Sequence, residues 1–349
     1  MSLDVSGQYR YPPPNPEWLS RRVEDVLDPG LQIIDAHHHL WTEHGTAYLG
    51  PEIMSDVGDG HAIGATVFVQ ANYNYRSDLP PHLAPIGETE AAANISAECA
   101  AKGFPTKVAA AIVAFADLTL GGQLDEVLDA HAAAGRGAFR GIRHGVSRDP
   151  HYPEGIVVRP APPGLLADPA YRAGMARLAA RGISYDAMLY HRQIGELTAA
   201  ARVLPELPIV LDHIGCIIGI GPYRGQEAET FLSWRADMAE LAKCANVTVK
   251  LGGFGMIICG SRWHEANVPP SSADLAGAWR PYIETCIELF GVQRCMFESN
   301  FPVDKAMYSY RTVWNAFKLL AQEASTQERH ALFSGNAARF YRIADPALG

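Results

Sequence analysis

Residues 33–41 read Ile33-Ile34-Asp35-Ala36-His37-His38-His39-Leu40-Trp41, an apolar strand that runs into three consecutive imidazoles. Strand alternation puts Asp35, His37 and His39 on one face, with Ala36, His38 and Leu40 on the other. Two neutral imidazoles two positions apart converge on one point, which suits a metal ion or a polarised carbonyl. A lone His-x-His is as often an ordinary strand end with satisfied hydrogen bonds. The rest of the chain has to decide.

That strand, near 32–36, is the first of eight β-type runs. The others fall near 65–72, 107–116, 138–144, 183–189, 208–213, 246–251 and 294–299. Ala-rich helical stretches lie between them, near 88–102, 122–135, 169–181, 193–203, 227–244, 274–290 and 308–323, with a last one near 327–342. Gly103, Gly182 and Gly291 stand just past helical stretches, where a C-cap is expected, and Pro169 is placed to open a helix. Eight strands, each followed by a crossover, predict an α/β fold of the (β/α)8 TIM-barrel type. An open doubly wound sheet is the alternative, but no Gly-rich phosphate loop follows the first strand.

Four irregular segments, 41–59, 73–87, 151–168 and 252–272, all follow strands. In a barrel they crown the C-terminal face, where barrel enzymes place their sites. The expected organisation is an N-terminal extension over 1–30 and one barrel domain over 31–345. Tyr73, Tyr75, Tyr152 and Trp263 in these loops hint at a planar substrate.

Composition excludes several classes. Of 349 residues 48% are hydrophobic and 19% charged, which is globular, and the net charge of −9 argues against a nucleic-acid partner. No apolar run is long enough for a membrane span, and the first thirty residues carry no signal-peptide core. The six cysteines show no Cys-x-x-Cys spacing, as in a reducing compartment. A cytoplasmic protein acting on a small molecule is expected, and a homo-oligomer is left open.

In a barrel, polar residues at the strand ends share one rim. His37 and His39 end the first strand, and Gln70 and Asn72 the second. Arg143 and His144 end the fourth, Tyr185 and Asp186 lie in the fifth, and Asp212 and His213 end the sixth. Lys250 ends the seventh, and Glu298 and Asn300 finish the eighth. Each has a bland reading: Lys250 as a solvated strand-end charge, Asp212 as a turn cap, Tyr185 as core with its hydroxyl satisfied. Together they are harder to dismiss, because an apolar core has no use for such a rim.

The ordered segments Asp35-Ala36-His37-His38-His39-Leu40-Trp41, Arg140-Gly141-Ile142-Arg143-His144, Leu211-Asp212-His213-Ile214-Gly215, Val249-Lys250-Leu251-Gly252-Gly253, Ser299-Asn300-Phe301-Pro302 and Phe333-Ser334-Gly335-Asn336-Ala337-Ala338-Arg339-Phe340-Tyr341 resemble the amidohydrolase superfamily. The branch resembled is that of barrel hydrolases including pyrone-dicarboxylate and sugar-acid lactonases. The resemblance covers roughly residues 30–343. It implies a distorted barrel, long-looped on its C-terminal face, that opens a lactone or related ester-like bond in a small, anionic substrate.

By the same resemblance His37, His39 and His213 are catalytic and Arg143, Tyr185 and Lys250 bind substrate; Gln70, from its place at the end of the second strand, is a further substrate-binding candidate. Asn300 stands where the family usually has the aspartate that activates water. A neutral amide can orient water but cannot deprotonate it. Glu298 and His213 are therefore the substitute bases, with a structural carboxylate as the bland reading of Glu298. With no histidine on strand five and an amide on strand eight, a metal-free site is favoured. The alternative is one divalent ion, zinc or manganese, on His37, His39 and His213. Two rival functions stand beside the hydrolase: a metal-dependent decarboxylase of the same superfamily, and a barrel that binds a small molecule without catalysis.

Overall fold

In the computed structural model, which describes residues 12–42, 46–151 and 160–346, eight parallel strands pair in chain order. They are β1 (Gln32–His38), β2 (Ala62–Val69), β3 (Lys107–Ala114), β4 (Phe139–Ile142), β5 (Ser184–Ala187), β6 (Ile209–Leu211), β7 (Val247–Leu251) and β8 (Cys295–Phe297). The barrel closes just beyond β8. His39 N–H donates to the Phe301 carbonyl at 2.7 Å, and Asn300 N–H to that of His37 at 3.0 Å. This is the expected (β/α)8 architecture.

The helices are α1 (Pro16–Leu19), α2 (Gly50–Val57), α3 (Ile86–Ala101), α4 (Leu124–Ala134), α5 (Pro169–Ala180), α6 (Ile194–Val203), α7 (Glu227–Leu241), α8 (Ser272–Phe290), α9 (Tyr310–Leu320), α10 (Thr326–His330) and α11 (Asn336–Tyr341). Local chemistry explains their ends. Asp168 caps α5 by accepting from Ala170 N–H at 2.8 Å, with Pro169 in the first turn. Gly103, Gly182 and Gly291 have positive φ, as expected after helices. Two expectations need correcting. Segment 41–59 is not wholly irregular, since it holds α2. The last helical stretch is broken by a π-turn at Ala331–Gly335 between α10 and α11.

Two apolar layers follow from the alternation of side chains along the strands. Ile34, Ala36, Val67, Val69, Ala111, Val113, Val210 and Met296 form one cluster, joined by Ala338 and Tyr341 of α11. Ile33, Phe68, Ile112, Ile142, Leu211 and Val249 belong to the larger cluster that includes the helices. The β1–β2, β2–β3 and β3–β4 ladders all carry register slips, and one of them shapes the site. The β1–β2 register slips between Asp35 and His38, a bulge that adds a residue to β1. Asp35 therefore does not share a face with His37 and His39. It turns outward and accepts from Ser299 N–H at 2.9 Å, Ser299 Oγ at 2.6 Å and Tyr310 OH at 2.9 Å.

The segment before β1 straps across α8 and α9. Trp18 Nε1 donates to the Ala266 carbonyl at 2.7 Å, and buried Lys318 Nζ donates to the carbonyls of Leu27 and Asp28 at 2.8 and 2.9 Å. All six cysteines are free thiols. Among the described residues no helix is long and apolar enough to cross a membrane.

Candidate active site

Beneath the C-terminal rim a fully buried ionic cluster supports the histidines. Lys250 Nζ, from β7, lies 2.8 Å from Asp186 Oδ2 of β5 and 2.9 Å from Asp212 Oδ1 just past β6. The same ammonium approaches His37 Nδ1 at 3.2 Å. Tyr341 OH donates to Asp186 Oδ2 at 2.6 Å. Burial alone would lower the pKa of Lys250, but Asp186 and Asp212 override it and hold the ammonium charged. Burial raises Asp186 despite Lys250, whereas Asp212, though desolvated, is held well below the usual carboxylate range by Lys250 and His37.

The histidines rest on this base. Glu298 Oε1 accepts from His213 Nδ1 at 2.7 Å and from His213 N–H at 3.0 Å, and Glu298 Oε2 lies 2.9 Å from His37 Nδ1. Desolvation would raise Glu298, but the neighbouring His213 and His37 hold it down to about 2. Burial alone would lower His213, and Glu298 with help from Asp212 raises it instead. His213 takes a left-handed backbone (φ 54°), strain that a functional position tolerates. His39 donates Nδ1–H to the Val69 carbonyl at 2.7 Å, which leaves its Nε2 bare, 3.2 Å from His37 Nε2. Burial, then the charges of His37 and Arg143, keep His39 well below its ordinary pKa, and it is neutral.

Above this floor opens a cleft of about 210 Å³. His39, Gln70, Arg143, His213 and Asn300 line it, together with Trp41, His144, Ser147 and Met256. The Arg143 guanidinium donates to the Gln70 carbonyl and lies 3.4 Å from His37 Nε2. Asn300 Nδ2 donates to Asp304 Oδ1 at 2.9 Å, so its Oδ1, which has no hydrogen-bond partner among the described residues, faces away from that carboxylate. Asp304 is itself fixed by Gly255 N–H at 2.9 Å and Tyr308 OH at 2.5 Å, and burial pushes its pKa up to about 6.

Five of the sequence candidates thus share the cleft wall. The others are placed differently. His37, Glu298 and Lys250 are fully buried below it, so Lys250 is a counter-ion to Asp186 and Asp212 rather than a substrate ligand. Tyr185 is turned into the outer layer, its OH 2.8 Å from Tyr171 OH and 3.2 Å from the His144 carbonyl. Glu298 and Asn300 each have their own partner, His213 and Asp304. Asp304 was missed, and Asp186 and Asp212, though read as rim residues, were given no role in the site. The Leu-Asp-His step at 211–213 and the i, i+4 spacing of Asn300 and Asp304 were the available signals. Tyr152 lies outside the described residues.

Comparison with known proteins agrees with this geometry. A family model described as Amidohydrolase matches residues 34–343. The chain belongs to the amidohydrolase family. This amidohydrolase is 34% identical over 330 residues, 90% of its length and 99% of the relative's, to the uncharacterized protein y4mH of Sinorhizobium fredii. It is 28% identical over 337 residues to L-fucono-1,5-lactonase of Burkholderia multivorans, covering 91% of this chain and 98% of that one. Crystal structures of a Burkholderia multivorans amidohydrolase, one with HEPES bound and one with zinc bound, superpose with a TM-score of 0.67 at 26% identity. They cover 90% of this chain and all of that one. The chain is an enzyme of the amidohydrolase superfamily.

A divalent metal fits the donor chemistry of the amidohydrolase site. His37, Asp212 and His213 are buried and present ligand atoms all within 4.8 Å of one another. Asp212 Oδ1 is ion-paired with Lys250, while Oδ2 has no hydrogen-bond partner among the described residues. The set differs from the expected three histidines, with Asp212 in the place given to His39. His39 has its ring directed by the Val69 carbonyl and stacked on Trp41 at 5.8 Å.

Proposed function

We propose that this amidohydrolase opens a small polar lactone by general-base hydrolysis, with His213 as the base. The observation that carries the reading is the His213–Glu298 pair. Glu298 accepts the Nδ1 proton at 2.7 Å and anchors the backbone N–H, so the ring is fixed with Nε2 left for chemistry. His213 and Asn300 line the same cleft. A water that donates one proton to the Asn300 carbonyl oxygen has its other proton available to His213. Asn300 positions that water and Asp304 positions Asn300.

Attack on the lactone carbonyl moves the water proton to His213 and the electron pair to the carbonyl oxygen. The Arg143 guanidinium is the group that can stabilise this oxyanion, because His39 presents a bare lone pair and cannot donate. Collapse expels the ring oxygen, which takes the proton back from His213. The products are a hydroxy acid and free enzyme, and the proton count balances. A divalent ion held by His37, Asp212 and His213 would supply Lewis acidity toward the carbonyl, but it would occupy the one free lone pair of His213, so the general-base role is that of the metal-free site.

Support for the substrate class is twofold. Gln70, Asn72, His144 and Ser147 line the cleft with groups suited to hydroxyls, and a relative matching almost end to end is named L-fucono-1,5-lactonase. No nucleic-acid or membrane partner is part of the reading, given a net charge of −9 and no membrane-length apolar helix among the described residues. The test is acid release from a panel of aldonolactones, followed with a pH indicator. Turnover of at least one member that His213→Gln abolishes is expected, and a panel left intact would reject the proposal.

A further inference from the structure

Beyond His213 there is a second cavity that the proposed hydrolysis does not use. It holds about 450 Å³, against about 210 Å³ for the main cleft, and opens to solvent beside the exposed residues Arg262 and Ala278. Its walls are aromatic: Phe254, Trp263, Trp279 and Tyr282. Phe254 and Trp279 stack with centroids 5.0 Å apart and planes 13° apart, and Tyr282 leans on Phe254 at 6.3 Å. Such faces select flat rings over branched or spherical groups.

The two spaces share one residue, His213, which lines both. The β7 loop lies flat against its ring because residue 253 is glycine. A Cβ there would come within 2.4 Å of His213 Nδ1, and the backbone has φ +72°. Ser261, whose Oγ is buried without a hydrogen-bond partner among the described residues, lines the same cavity. Arg262, half exposed and paired with Glu265, stands at the wall as well.

We propose that this cavity is a subsite for a flat aryl substituent carried by the substrate, held on the far side of His213 from the reacting carbonyl. The substrate half of this statement rests on the hydrolase reading, whereas the existence of an aryl site does not. The substrate so implied is a lactone bearing a flat aromatic ring that reaches past His213.

Two measurements separate these halves. Calorimetric titration with 2-naphthol, a flat uncharged probe, reads the site without turnover. Saturable binding is expected, weakened at least tenfold by Ala278→Trp, which fills the cavity from α8, and several-fold by Trp263→Ala. Should Ala278→Trp lower the melting temperature, Trp263→Ala carries the comparison. The second measurement is KM for phenyl-substituted against unsubstituted δ-valerolactone. The phenyl compound is expected to have a KM at least fivefold lower, and Ala278→Trp to erase that advantage while turnover of the unsubstituted lactone stays unchanged. Affinity for 2-naphthol that neither variant alters, or no saturable binding, overturns the subsite. Binding of 2-naphthol with neither valerolactone nor any aldonolactone opened upholds the aryl site and overturns the hydrolase reading instead.

Discussion

At the scale of single residues the account turns on who holds the proton. The charge of Glu298 raises the pKa of His213 against the pull of burial, and His213 must be neutral to act as base. The acidic limb of the kcat/KM profile should therefore sit above the ordinary histidine range. Glu298→Gln removes the charge, so that limb should move to lower pH while kcat falls, as a pH-rate series would show. Asn300 depends in turn on Asp304, whose carboxylate takes the amide N–H at 2.9 Å. Asp304→Asn frees the amide to rotate, and kcat should fall with KM nearly unchanged. An aspartate at 300 would set two carboxylates side by side. The amide at this position is what the neighbour requires.

At the scale of elements, Asp35 shows how the barrel is joined. It receives Ser299 N–H and Oγ from beyond β8 and Tyr310 OH from the start of α9. Asp35→Ala leaves several buried donors unpaired and should cost about 3 kcal/mol or more in a denaturant titration. The strands and their order were readable from hydrophobic periodicity, and the rim residues from their places at strand ends. The bulge after Asp35 was not, because register belongs to the pairing of β1 with β2 and leaves no mark in either strand alone. Lys250 was readable as a strand-end cation, but its burial beneath His37 depends on Asp186 and Asp212 from two other strands. Tyr185 and Asp186 are neighbours on opposite faces of β5. A one-residue choice of face decided which of them reached the site.

At the scale of the whole molecule, the segment before β1 is tied down through Lys318, whose pKa burial lowers to about 8, with His61 Nδ1 2.8 Å away. The unfolded chain binds this proton more readily, since a free lysine titrates near 10.4. Between about pH 8 and 10 the native state should gain stability with rising pH. Lys318→Met should flatten that rise, as unfolding curves taken across the range would reveal. The barrel thus carries its chemistry on one face and its N-terminal strap on α8 and α9. The claim that joins these levels is that His213, anchored by Glu298, takes the proton from the attacking water. Its most direct measurement is initial-rate ring opening of an aldonolactone by wild-type protein and by His213→Gln at matched pH. The expected result is a fall of about 10²–10⁴ in kcat with the fold intact. Turnover that survives His213→Gln would contradict the account.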